Sequence, residues 1–220
     1  RSQYANHENY KASYWGHQAK GEAIIKPVNA VMDLKGVEWG HLDDDGNWTA
    51  ILPDQEESGV AGNRLKLDFV VRSARGTALT CAAPTGSFQI KIDGQNIGDP
   101  IPLTQEAMGP EGSGNSLEQK PVLVEYPDNA TETRNATVVT YYLDPANRDG
   151  LLKLFASAGA GAEHVVNVEY IADKNYVQGL DDNPDNAMDD KAFIVPVPPT
   201  GDVTPDGPVK EEPTDPSDPD

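Results

Sequence analysis

The densest chemistry in this 220-residue chain is acidic. Asp181-Asp182-Asn183-Pro184-Asp185-Asn186 puts oxygen-bearing side chains at the first, third and fifth places of a short loop. EF-hand calcium loops begin in this way, and Asn186 tolerates the left-handed turn they need at the sixth place. The bidentate glutamate of such loops is missing, because Ala192 stands at the twelfth place; Asp189 or Asp190 is the available substitute. Asp43, Asp45 and Asn47 repeat the alternation in a second cluster that has no turn glycine at its sixth place. Hard oxygen ligands at alternate positions suit Ca²⁺ better than Zn²⁺. The plainer reading of either cluster is a solvated acidic turn.

Other chemistry is sparse. Asn47-Trp48-Thr49, Asn129-Ala130-Thr131 and Asn135-Ala136-Thr137 are glycosylation sequons, so Asn47, Asn129 and Asn135 lean towards secretion. There is no phosphate-cradling glycine loop, dinucleotide fingerprint, nucleophile elbow or zincin pair. His7, His17, His41 and His164 are scattered, and the many acids show no sign of the raised carboxyl that general acid catalysis needs. Cys81 is the single cysteine, which excludes an intrachain disulfide and a cysteine zinc site; with no basic neighbour in sequence it reads as a small buried hydrophobe. Trp15, Trp39 and Trp48 offer stacking platforms for sugar rings, with core packing as the alternative. The chain therefore reads as non-enzymatic.

The elements that must position these residues are mostly strands. Leu65, Leu67, Phe69 and Val71 alternate with Lys66, Asp68 and Val70, which predicts a half-buried strand. Phe88, Ile90 and Ile92 alternate likewise, and Asp93-Gly94 supplies a two-residue hairpin turn returning through 95–97. Residues 122–126, 136–143 and 164–172 add three β-branched and aromatic runs, with lesser strands expected at 22–31, 48–52, 77–82 and 192–197. Asp149 is placed to cap a short helix over 150–157 with Leu151, Leu154 and Phe155 on one face. Residues 104–119 read as a Gly-rich surface loop. The fold class implied is all-β: an antiparallel β-sandwich of jelly-roll or Ig-like type, with one short helix and extended terminal arms.

Charge and composition divide the chain. It carries 36 acids against 17 bases, net −19, which argues against nucleic acid and anionic membrane as partners. No apolar run reaches the roughly 18 residues of a spanning helix, so membrane insertion is not expected. Residues 181–220 hold twelve of the acids and two lysines, leaving 24 acids and 15 bases in 1–180. The organisation expected is an N-terminal arm over 1–19, a β-sandwich domain over 20–197 and an acidic, Pro-rich tail over 198–220. The opening Arg1 in place of Met suggests removal of a leader. Tyr10, Ala12 and Tyr14, at period two, make the arm a candidate donor strand.

One stretch resembles a known group. Lys20-Gly21-Glu22-Ala23-Ile24-Ile25-Lys26-Pro27-Val28, followed by Met32-Asp33-Leu34 and Val37-Glu38-Trp39-Gly40, is similar to the opening strands of secreted β-sandwich fibre and matrix subunits. These include bacterial biofilm fibre proteins, archaeal bundling pili and cannula-type proteins; Trp39 stands where Phe is usual. The resemblance covers about twenty residues. It implies a subunit whose terminal arm completes the sheet of the next copy. The expected function is thus an extracellular or cell-surface structural subunit that forms a homopolymer, a filament or tubule, by strand exchange, with Ca²⁺ screening its acidic protomers. A virion decoration or tail component, and a carbohydrate-binding module of a secreted protein, are the alternatives.

Overall fold

In the computed structural model the described residues are 27–52, 63–110, 113–145, 151–158, 161–179 and 190–195. The clearest alternation in the sequence builds the centre. Leu65, Leu67, Phe69 and Val71 are all buried along β3, Arg64–Ser73, the third strand in chain order. Burial of each such side chain is worth about 1.5–3 kcal/mol. Before it come β1, Val28–Leu42, and β2, Trp48–Ala50. After it come β4, Gly86–Ile92, β5, Gln95–Asn96, β6, Ile101–Pro102, β7, Ser116–Glu125, and β8, Thr131–Leu143. The helix α1, Leu151–Ala158, precedes β9, Glu163–Ala172, β10, Tyr176–Gln178, and β11, Asp190–Ile194.

These strands form two sheets. The first runs β10-β1-β3-β8-β7, with β2 also on β1; the second runs β11-β9-β4-β5, with β6 on β4. All pairings are antiparallel except that of β10 with β1. The inner faces meet through Phe69, Phe88 and Tyr141, whose rings lie 4.9 and 5.5 Å apart. The chain is therefore an all-β sandwich with a single short helix among the described residues. Leu151 and Phe155 of that helix are buried, and Phe155 packs edge-on to Trp39.

The Asp93-Gly94 turn forms as its residue types require, with φ of 50° and 77°. Three expectations need correction. Residues 77–82 are turns rather than a strand, because the chain crosses there from one sheet to the other. Its carbonyls are met by side chains: Asn135 Nδ2 donates to Cys81 O, Tyr176 Oη to Ala82 O, Thr137 Oγ1 to Pro84 O and Tyr170 Oη to Thr85 O. Residues 104–119 are not all loop. Glu106–Met108 is a 3-10 turn with Met108 buried, and Ser116 onward belongs to β7. Finally, β1 is one long strand reaching Leu42, bent by a bulge at Lys35 between Leu34 and Gly36.

Candidate functional site

A subunit that joins copies through strands must offer an unpaired edge, so the edges are the first place to look. β1 pairs with β3 from Ala30 to Gly40. On its other side β10 covers Val28–Ala30, β2 covers Gly40–Leu42, and the chain next to each adds one bond: Gly179 N donates to Ala30 O and Ile51 N to Trp39 O. In an antiparallel pair the N–H and C=O of a residue point to the same side, and alternate residues share it. Ala30 thus sets Met32 and Leu34 outward, while the bulge shifts the phase so that Val37 and Trp39 face the same way. Among the described residues no strand pairs with this side of β1 from Val31 to Glu38.

The second sheet is incomplete nearby. β11 pairs with β9 only from Glu163 to Asn167, so the same side of β9 is bare of described strands from Val168 to Ala172. Between these two edges lies a cavity of about 320 Å³ lined by Ala30, Met32, Val168, Tyr170 and Gly179 among others. At the opposite side of the first sheet, β7 is also an edge, but a guarded one. Gln105 Nε2 donates to Leu117 O, which places the odd-numbered residues of β7 outward. Pro121 then presents no N–H to an incoming strand.

The acidic turn of the β1–β2 hairpin, Asp43–Asn47, is closed by its own bonds. Asp43 Oδ1 accepts from Asp45 N at 3.0 Å and Asn47 N at 2.7 Å, and Oδ2 accepts from Asn47 Nδ2 at 3.1 Å. Those bonds, that from Asn47 N first, hold the Asp43 carboxyl below its usual range. Among the described residues no three His, Cys, Asp or Glu side chains are grouped to hold a metal. Asp181, Asn183, Asp185 and Asp189 lie outside the described residues, as do Tyr10, Ala12 and Tyr14 of the arm.

The three sequons differ in setting. Asn47 and Asn129 are exposed in hairpin turns, Asn129 with φ of 61°. Asn135 lies within β8, and its Nδ2, the atom that would carry a sugar, donates to Cys81 O at 2.9 Å. Trp39 is core. Trp48 is half-buried on the outer face of the first sheet, 5.1 Å from the Tyr142 ring, with its Nε1 donating to Glu38. Cys81 is free and buried.

Two polar clusters were invisible in the sequence because their members are far apart along it. Asp33 and Arg72 form a buried pair with both carboxylate oxygens engaged, at 2.9 and 3.3 Å. Beside them Arg134 bonds Glu132, Tyr126, Ser73 and Thr77, while Arg75 lies 4.3 Å from the Tyr126 ring centre. In the second, His164 Nδ1 lies 2.7 Å from Asp93 Oδ2. Its Nε2 is buried without a hydrogen-bond partner, and its ring packs between Phe155 and Phe193. An imidazole enclosed in this way packs the core and presents no nitrogen to a substrate. Comparison with known proteins finds no family model, no curated protein and no solved structure that matches the chain.

Proposed function

We propose that the chain is an extracellular, non-enzymatic structural subunit that assembles with its own copies into a filament or tubule by strand exchange. The observation that carries this reading is a sandwich whose longest strand, β1, has a partner along most of one side and only at its two ends on the other, among the described residues. Unguarded edges of that length invite an added strand. The alternating Tyr10, Ala12 and Tyr14 supply a segment suited to be one. Ca²⁺ held by residues 181–189 would offset repulsion between copies of net charge −19.

Negative-stain electron microscopy of the purified chain, with Ca²⁺ and with chelator, tests the reading. Polymers are expected with Ca²⁺, with loss on chelation and on deletion of residues 1–19. A monomer under every condition would overturn it. A second reading, a carbohydrate-binding module, is supported by the Trp48–Tyr142 pair beside Glu38, Lys66 and Asp68 on an outer sheet face. Glycan binding by a monomer, abolished by Trp48→Ala, would favour it.

A further inference from the structure

The total charge hides a division that bears on assembly. Arg1, Lys11 and Lys20 stand against one acid, Glu8, so the first twenty residues carry +2. Residues 21–220, with the other 35 acids and 14 bases, carry −21. A basic arm is joined to an acidic body, and opposite charge draws such an arm towards the body of another copy.

Of the long edges, β7 is blocked by the Gln105 bond and by Pro121. The side of β1 that no described strand pairs has no proline, and Met32, Leu34 and Val37 turn their N–H and C=O groups outward there. We propose that residues 1–20 of one copy add as a strand to the Val31–Glu38 edge of β1 in the next. This rests on the strand-exchange reading and names its acceptor. Eight residues of strand cover about 26 Å at about 3.3 Å each, and residues 9–16 match that length. Tyr10, Ala12 and Tyr14 then share the face towards the cavity beside Met32, Val168 and Tyr170. Lys11 takes the opposite face, which on β1 carries the exposed Glu38. Within one copy β10 already takes this side of β1 at Val28–Ala30, so an arm returning to its own edge would have to pass around it.

The test is disulfide trapping in the full chain with Cys81→Ser, pairing Ala12→Cys with Val37→Cys, which is half-buried on the face that Ala12 would share. Ala12→Cys with Leu123→Cys on β7 is the control. The 12/37 pair is expected to give a ladder of linked multimers on a non-reducing gel, diminished by excess synthetic peptide 1–20 and by high salt, while the control stays monomeric. A ladder from 12/123 alone would move the acceptor to β7 and overturn the proposal while leaving strand exchange standing. A 12/37 disulfide closed within single chains would overturn the second copy as occupant. Polymers visible by microscopy with no ladder from either pair would also overturn the acceptor. Absence of any polymer from the parent chain would overturn strand exchange itself.

Discussion

Asp33 and Arg72 show what a single buried charge demands. Neither side chain has more than a trace of exposure, so the bonds between them stand in for water that each has lost. Removing one partner by Asp33→Ala should cost about 3–5 kcal/mol in urea unfolding, because the buried guanidinium loses the carboxylate that takes two of its bonds. The double change Asp33→Leu with Arg72→Met should cost far less, and a cycle built from the two singles would show the coupling. Acid acts on a different set. Hydrogen bonds from Asn47, Arg75 and Arg134 hold the carboxyls of Asp43, Asp128 and Glu132, respectively, below their ordinary values. A depressed folded value stabilises above the unfolded pKa of about 4 and loses that stabilisation as pH falls through the folded value. The thermal midpoint should therefore be flat from pH 7 to 5 and decline below about pH 4, less steeply with Asp128→Asn. At this scale the sequence was a partial guide. Cys81 was legible as a buried hydrophobe from its neighbours, whereas Trp39, which is core, could not be told apart from Trp15 and Trp48. The partners of Arg72 and His164 were not legible, since Asp33 and Asp93 lie 39 and 71 residues away.

Among the elements, legibility followed periodicity. β3 and β4 alternate without interruption, and each of their expected inward residues is buried. β1 does not. Ala30, Met32 and Leu34 face inward on even numbers, whereas Val37 and Trp39 do so on odd ones, because Lys35 is inserted as a bulge. A period-two reading therefore broke one strand into pieces and ended its first part at Val31. The Gly-rich look of 104–119 misled for a different reason: Gly109 and Gly114 serve positive φ at 85° and 82°, after a short 3-10 turn that buries Met108. Glycine also decides the β1–β2 hairpin. A Cβ on Gly40 would sit 2.2 Å from Thr49 O and 2.8 Å from the Trp48 ring. Gly40→Ala should therefore displace β2 and shift Trp48, read as a red-shifted Trp emission and faster amide exchange over 48–51, with little change in β8.

For the whole molecule, composition spoke clearly about class and only faintly about connection. Counts of strands and turns were enough for a sandwich, but the parallel β10 and the two-residue strand β6 depend on tertiary pairing that no local pattern encodes. The crossing at 81–85 has a kinetic consequence. Its carbonyls take donors from β8, β9 and β10, between 53 and 94 residues further along the chain. Burial pushes the Tyr170 phenol up, so one of these donors keeps its proton at any ordinary pH. Neither sheet can satisfy the crossing alone, and loops of that length must close before the bonds repay them. Far- and near-ultraviolet circular dichroism should accordingly lose signal in one coincident transition. Tyr176→Phe, by removing the most distant donor, should speed unfolding more than it slows refolding if that contact forms last. Two sheets stitched together in this way fold slowly and as a unit, so a newly made chain stays for some time with its edges exposed to other copies.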